Sequence, residues 1–201
     1  MPVVIAVILI TRKPQGLSID TDYKPLNHED QLKSLHLMVY SKRFWQYVGL
    51  MVCAKFFSTF FSYSFKEYGE NSSLHKSISD QTLTWAASIG TGLGQGTSRL
   101  LMGYLADKHT FRSLMTILTL ISLAISLLVG FVNEMPLAYS CCVFFNYFQM
   151  GGVWSIYPSA TIETFGFRQG PKVYAVIMYF EVVASLLNTL MTRYILPITS
   201  F

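Results

Sequence analysis

Residues 113–132 read SLMTILTLISLAISLLVGFV and contain no charged side chain. A helix needs about 20 mostly apolar residues to cross the hydrocarbon core of a bilayer, so this stretch predicts a transmembrane helix. Residues 81–98 and 135–162 are also free of charge. Of the 201 residues, 52% are hydrophobic and 13% are charged, whereas a soluble domain carries about 25% charged residues. We therefore predict an all-α integral membrane protein.

Five apolar segments are expected to form a transmembrane bundle over residues 44–201. Their approximate bounds are 44–65, 81–104, 113–132, 137–158 and 173–195. Residues 1–10 are also apolar, but a helix of that length spans only about half of a bilayer core. They are therefore expected to be the end of a truncated transmembrane helix. Residues 11–43 are polar and mixed in charge, which predicts a loop in solvent.

Basic residues are concentrated in alternate loops between these segments. One set of loops holds Arg12, Lys13, Lys24, Lys33, Lys42, Arg43, Lys108, Arg112, Arg168 and Lys172. The other set holds Lys66 and Lys76, with Arg193 near the last helix end. Because cytoplasmic loops carry an excess of Lys and Arg, the long loop 11–43 is expected to be cytoplasmic in a multi-pass protein. Residues 66–80 and 133–136 are then expected on the opposite side.

Residues 90–112 read GTGLGQGTSRLLMGYLADKHTFR and connect the second apolar segment to the third. The glycine run lies inside an apolar segment and does not follow a strand, so it does not predict a phosphate-binding loop. Small residues four apart let two membrane helices approach closely. Gly92 and Gly96 have this spacing, as do Gly90 and Gly94. We predict helix packing at Gly92 and Gly96, and also at the Gly151–Gly152 pair.

Three of the apolar segments carry a polar stripe with one ionisable residue. Spacings of three and four place each stripe on one helix face. The stripe of the first segment is Lys55, Ser58, Thr59 and Ser62, and that of the second is Thr84, Ser88, Thr91, Gln95 and Arg99. The stripe of the fifth segment is Glu181, Ser185, Asn188 and Thr192. A charge at the bilayer centre costs about 2.5–3.5 kcal/mol, so such residues usually face a bundle interior or an aqueous cavity. Two interpretations stay open: hydrogen-bond partners in a static bundle, or the lining of a solute pathway.

The charged members of the stripes have alternative roles. Lys55 and Glu181 have opposite charges and can pair with each other, or Glu181 can pair with Arg99. Arg99 is nearer the predicted cytoplasmic end, where a long side chain can reach the interface. A weaker stripe near Asn146 and Gln149 marks the fourth segment.

The turn at 103–112 resembles the loop signature of the major facilitator superfamily, Gly-x-Leu-Ala-Asp-Arg-x-Gly-Arg-Arg. The matching residues are Gly103, Leu105, Ala106 and Asp107, with basic charge kept at Lys108 and Arg112. Thr110 and Phe111 depart from the pattern by replacing a glycine and a basic residue. The resemblance implies a conformational role for this loop, in which the Asp107 carboxylate caps a neighbouring helix end.

The resemblance runs from about residue 42 to residue 200 and covers the second six-helix repeat of a facilitator, as helices seven to eleven. Within the superfamily the chain is most similar to the oxalate/formate antiporter and monocarboxylate transporter group. The segments that carry this similarity are 42–45 (KRFW), 63–69 (YSFKEYG), Ser98-Arg99 four residues before Gly103, 151–158 (GGVWSIYP), Phe165-Gly166 with Gly170, and Tyr174 with 184–187 (ASLL).

The resemblance implies a role for Arg99, because an arginine at this position holds the substrate carboxylate in that group. A guanidinium binds a carboxylate through two parallel hydrogen bonds. The other candidate substrate-binding residues are Gln95, Lys55, Glu181 and Asn188. Glu181 stands where oxalate transporters have a lysine, so a single carboxylate, a proton-coupled substrate or a zwitterion is more consistent than a dianion. Glu181 is then a candidate carrier of the coupled proton.

The predicted function is secondary active transport of small organic anions, such as monocarboxylates, by alternating access. Exchange, symport and uniport stay open. Facilitators place their site between two repeats, so a missing N-terminal half or a second chain is an expected partner, together with the lipid bilayer. The alternative is a non-transporting membrane half-protein that binds or regulates a partner.

An enzymatic function is not expected. The sequence contains no nucleophile–base set and no cofactor loop, and Cys53, Cys141 and Cys142 fit no metal-ligand spacing. Neither a cofactor nor a metal is therefore predicted, and no nucleic-acid partner is expected.

Overall fold

The computed structural model describes residues 38–70, 78–132 and 135–194. Every regular element in these ranges is helical, which confirms the all-α prediction for them. The elements are α1 (Lys42–Glu70), α2 (Asp80–Ile89), a π-helical turn (Gly90–Gly94), α3 (Gln95–Ala106), α4 (Phe111–Val132), α5 (Pro136–Phe165) and α6 (Gly170–Tyr194). The predicted truncated helix at 1–10 and the predicted loop as far as residue 37 lie outside the described residues.

Local sequence signals explain several of the helix ends. Ser79 caps α2, because its side-chain oxygen accepts a hydrogen bond from the backbone N–H of Thr82. Pro136 opens α5, at a position where a missing N–H is tolerated. Gly166 ends α5 with a φ of 82°, which glycine adopts without steric penalty. The chain then turns back so that α6 packs against α5.

Three helices within the described ranges are long and apolar enough to cross a membrane: α1, α4 and α6. The chain therefore has the character of a membrane protein, although five spans were predicted. The stretch 80–106 is not among these three, because the π-helical turn divides it into two shorter helices. The backbone nevertheless continues through the turn, since Ile89 and Gln95 on either side of it have right-handed helical dihedrals. We call this continuous stretch the rod. In α5, the polar residues Asn146 and Gln149 and the internal Pro158 interrupt the apolar pattern.

Helix α5 is the centre of the bundle. It packs against α1, α4, α6 and the rod. Helix α6 packs against α1 and α5 but makes no contact with the rod within the described residues. One side of the bundle is therefore open between α6 and the rod.

Two apolar clusters occupy opposite ends of the bundle. The first includes Phe44, Met51, Met102, Leu118, Tyr157 and Ile177. The second includes Phe61, Phe65, Leu83, Ile125, Tyr139 and Val143. Buried polar side chains lie between them along the helices, and six of these on α1, α5 and α6 are here called the polar layer: Lys55, Ser58, Asn146, Gln149, Glu181 and Asn188. By contrast, α4 and α6 expose large apolar side chains such as Leu127 and Leu186 on their outer faces.

The glycines of α5 pack closely, as predicted. A Cβ on Gly151 would lie 2.7 Å from the carbonyl oxygen of Gln95. A Cβ on Gly152 would lie 3.0 Å from the side chains of Leu118 and Ser98. These two positions therefore let α5 approach the rod and α4.

The glycines of the rod require a correction. A Cβ on Gly92 or Gly96 would meet nothing within 4 Å, so the prediction that this pair packs against a helix is wrong within the described residues. The other pair faces α5: a Cβ on Gly90 would lie 2.6 Å from the Tyr147 ring, and one on Gly94 would lie 3.1 Å from a backbone oxygen of α5. Both pairs have the same spacing, so sequence alone does not distinguish the face that meets the bundle.

Candidate functional site

The centre of the polar layer is an ion pair between α1 and α6. The Lys55 Nζ lies 2.5 Å from Glu181 Oε1, and the two side chains are 2% and 9% exposed. The same ammonium lies 4.0 Å from the centroid of the Trp154 ring on α5, which is close enough for a cation–π interaction. Of the alternatives left open by the sequence, the structure has Glu181 paired with Lys55.

Amide side chains extend the polar layer along α1. Ser58 Oγ donates a hydrogen bond to Gln149 Oε1, and Gln149 Nε2 donates to the backbone oxygen of Ala54 at 3.2 Å. Asn146 Nδ2 donates to the backbone oxygen of Ser58 at 3.2 Å and to Ser62 Oγ at 2.9 Å. Buried polar groups are costly unless they are hydrogen-bonded, and this network satisfies most of the buried donors on α5.

Asn188 lies two turns beyond Glu181 on α6. Its Nδ2 donates to the backbone oxygen of Phe56 at 3.3 Å, and its side chain is buried. Three buried oxygens of the polar layer have no hydrogen-bond partner among the described residues: Glu181 Oε2, Asn188 Oδ1 and Asn146 Oδ1. The layer therefore keeps acceptor capacity that the protein itself does not use.

Arg99 is in a different environment from Lys55. It lies on the exposed face of the rod, and its guanidinium has no hydrogen bond or ion pair with any described residue. It is nevertheless near enough to act electrostatically on Lys55 and on Tyr174 of α6. Gln95, one turn earlier, is half-buried. The free cation therefore faces the open side of the bundle.

The rest of the rod's polar stripe is also exposed. Thr84, Ser88 and Thr91 are exposed, and Thr84 Oγ1 accepts a hydrogen bond from Lys66 Nζ of α1 at 2.9 Å. The hydroxyls of Ser88 and Thr91 donate to backbone oxygens one turn earlier, at 2.8 Å in each case. The hydroxyls of Ser88 and Thr91 are thus satisfied within the rod, and their exposed face is available to water, a ligand or a partner.

The loop motif at 103–112 agrees only in part with the predicted role. Gly103 faces α5, where an added Cβ would lie 3.2 Å from Ser155 Oγ. Asp107 is the C-cap residue of α3, and its exposed carboxylate makes no hydrogen bond or ion pair with the described residues. The side chain that caps α4 is Thr110, whose Oγ1 accepts from the Ser113 N–H at 3.5 Å. The capping role of Asp107 at a neighbouring helix end therefore stays a prediction.

The basic residues of the motif lie at the surface of the bundle. Lys108 donates a hydrogen bond to Tyr104 and lies 4.3 Å from the centroid of that ring. Arg112 is half-buried in the first turn of α4.

At the other end of the bundle an exposed ion pair joins α1 to α2. Lys66 Nζ lies 2.8 Å from Asp80 Oδ1 and 2.9 Å from Thr84 Oγ1. The hydrogen bond from Lys66 and its positive charge lower the pKa of Asp80 below its ordinary value of 3.8. Because both side chains are exposed, this pair is screened by water and ions.

Sequence reasoning missed Trp154 as part of the site. It lies 99 residues from Lys55 in the chain, and its position within the 151–158 segment was noted without a role. The available signal was an aromatic ring in the same apolar segment as two buried amides. Within the described residues, no group of His, Cys, Asp and Glu side chains is arranged to hold a metal ion.

Comparisons of the chain with protein-family models, with curated proteins and with solved structures find no match. The functional interpretation therefore depends on the residues and their geometry.

Proposed function

We propose that this chain belongs to a secondary transporter of small organic anions, and that it provides one bundle of an alternating-access protein of the major facilitator type. In this proposal all five helical segments cross the membrane, with Arg99 as the principal ligand of the substrate carboxylate. Gln95 and Tyr174 lie on the same open side and provide neighbouring polar contacts.

The observation that carries the proposal is the unpartnered guanidinium of Arg99 beside a neutralised ion pair. A charged side chain within a membrane segment usually faces a bundle interior or a water-filled cavity. Lys55 has a protein carboxylate as its counter-ion, whereas Arg99 has none among the described residues. An organic carboxylate would complete the coordination of Arg99 with two parallel hydrogen bonds.

A second bundle is part of this proposal. Facilitators place the substrate between two repeats that rock against each other. The open side between α6 and the rod would be one wall of that site, and the opposite wall would come from an N-terminal half or from a second chain.

The test is uptake of labelled acetate and lactate by membrane vesicles from cells in which the protein is naturally produced. We expect Arg99→Ala to abolish uptake at unchanged protein abundance. Arg193→Ala provides a matched control, because it removes an exposed arginine from the last turn of α6. Unchanged uptake with Arg99→Ala would exclude the proposed anion site.

A second candidate function is a non-transporting membrane protein that binds or regulates a partner. The exposed face of the rod favours it, since Gly92 and Gly96 have open space around them and small residues permit close helix approach. The two functions differ in thermal unfolding. Only a protein that binds the solute is stabilised by that solute through mass action, so a transporter should unfold at higher temperature in acetate than in an equal concentration of chloride.

A further inference from the structure

The two ends of the bundle differ in charge. The end at which α1 begins and α5 ends, here called the basic end, has six basic and two acidic side chains among the described residues: Lys42, Arg43, Lys108, Arg112, Arg168, Lys172, Asp107 and Glu163. The opposite end has two basic and three acidic side chains in the same part of the chain: Lys66, Arg193, Glu67, Glu70 and Asp80. Basic residues beside a bilayer attract anionic lipids, so the basic end is the one that suits an anionic headgroup.

An exposed stripe on α3 leads to the basic end. Leu101 and Tyr104 lie three residues apart, so they share a helix face, and both side chains are exposed. Lys108 lies in the turn after α3, where its ammonium donates a hydrogen bond to Tyr104 and is 4.3 Å from the centroid of that ring. The stripe therefore changes from an aliphatic side chain to a phenol and then to an ammonium within about two helical turns.

This stripe is separate from the face that carries Arg99. Arg99 lies five residues before Tyr104, which is about 1.4 turns of an α-helix, so the two side chains lie on different sides of α3. The residues of α3 that pack into the bundle are also different ones, since Ser98 and Met102 are buried. The stripe is therefore an outer surface that neither the bundle core nor the proposed substrate site uses.

A phospholipid has the same order of groups as the stripe. Its acyl chain would lie against Leu101, and its headgroup would lie level with Tyr104, since tyrosine is enriched at the membrane–water interface. An ammonium has three donors, and Tyr104 accepts only one hydrogen bond from Lys108, so the ammonium can also bind a phosphate. A soluble anion would use the ammonium alone and would leave Leu101 uncovered.

We propose that the basic end binds an anionic phospholipid, with Lys108 as the ligand of its headgroup and Leu101 and Tyr104 as the surface for its apolar part. Arg112, in the first turn of α4, adds a second positive charge four residues after Lys108. This surface is independent of the proposed anion transport and needs no second bundle, because the stripe and the turn both belong to this chain.

The experiment measures lipid binding by native mass spectrometry. The tagged protein is extracted in mild detergent from the cells that produce it, together with any associated chain. Dioleoyl phosphatidylserine and dioleoyl phosphatidylcholine, which share their acyl chains and differ in net charge, are titrated separately. The variant is Lys108→Gln with Arg112→Gln. The matched control, Lys66→Gln with Arg193→Gln, removes the same charge from the opposite end, where Lys66 already pairs with Asp80.

We expect the wild type to bind phosphatidylserine about tenfold or more tightly than phosphatidylcholine, since each basic residue near the headgroups favours the anionic lipid by roughly fivefold. The variant at the basic end should lose most of this preference, and the control should keep it. Lys108→Gln alone changes one exposed side chain and should lose part of the preference, which keeps the test available if the double variant does not fold.

Equal binding of the two lipids by the wild type, or no binding of either, would overturn the proposal. An equal loss of preference in the variant and the control would do the same. Glycerophosphoserine, which has the headgroup without acyl chains, distinguishes a lipid from a soluble anion. If it displaces phosphatidylserine at an equal concentration, the surface formed by Leu101 and Tyr104 has no part in binding and the lipid assignment is wrong.

Discussion

The polar stripes of α1 and of the rod have the same sequence pattern but opposite environments. Each has hydroxyl residues at helical spacing and one basic residue. On α1, Lys55 and Ser58 are buried and bonded to side chains of α6 and α5. On the rod, Thr91 and Arg99 are exposed, and their side chains make no hydrogen bond or ion pair with another helix in the described part of the chain. A polar stripe in a membrane helix therefore indicates an interior-facing surface, but not whether that surface is closed by protein or open to a ligand.

The largest change in the free energy of unfolding is expected when one partner of the buried Lys55–Glu181 pair is removed. Lys55→Met should lower the free energy of unfolding by about 3–5 kcal/mol, because it leaves Glu181 buried without its counter-ion. Replacing both residues by apolar ones of similar size should restore most of the loss. Chemical unfolding of the purified chain in detergent measures both values.

Arg99→Met tests whether Arg99 differs from Lys55 in having no counter-ion within the protein. Because Arg99 is exposed and unpaired among the described residues, its loss should change stability by less than about 0.5 kcal/mol, as for ordinary surface substitutions. Equal losses at Lys55 and Arg99 would mean that both cations have protein partners.

A smaller change in stability is expected to distinguish the packed glycine Gly151 from the exposed glycine Gly92. Gly151→Ala should destabilise the bundle by about 1–3 kcal/mol, as overpacking usually does, because the new Cβ would lie 2.7 Å from the Gln95 carbonyl oxygen. Gly92→Ala should be neutral or stabilising, since it meets open space and alanine favours helices over glycine by about 1 kcal/mol. Thermal unfolding of the two variants side by side checks the difference, and a destabilising Gly92→Ala would contradict the assigned face.

Features of the fold that depend on local sequence were predictable, and features that depend on contacts between residues far apart in the chain were not. The helices were predictable because charge-free apolar stretches act locally. The buried side chains of α1 and α6 were predictable because stripes mark a face. The partner of Glu181 was not, since Lys55 lies 126 residues away and Arg99 was an equally good counter-ion by charge.

The errors have the same origin. Gly90 and Gly94 could not be separated from Gly92 and Gly96 by spacing, because the choice depends on how the rod is rotated against α5. The capping role of Asp107 came from family resemblance and stays a prediction, whereas the hydrogen bond from the Ser113 N–H to Thr110 Oγ1 is a local feature of the start of α4. The interruption of the rod by a π-helical turn has no signal in sequence beyond the glycine run.

The smallest change in stability is expected from the exposed ion pair of Lys66 and Asp80. The folded state lowers the pKa of Asp80 from 3.8 through its hydrogen bond with Lys66. The pair therefore contributes to stability above about pH 4 and loses that contribution as pH falls through the lowered pKa of the folded state. Asp80→Asn should remove this acid-dependent change, which is measured by following thermal unfolding between pH 5 and pH 3 (roughly the range of carboxyl titration). A wild type and variant with the same pH dependence would show that the pair contributes nothing.

The most direct test of the central contrast is cysteine labelling in membranes with a water-soluble thiol reagent. In a background without Cys53, Cys141 and Cys142, Thr91→Cys samples the rod face, Ser58→Cys the polar layer and Leu127→Cys the outer face of α4. The account predicts rapid labelling at position 91 alone, with protection by acetate, because only that face opens to an aqueous anion pathway. Labelling at position 91 that is no faster than at 127 would contradict it, since the rod would then face lipid or a permanent partner.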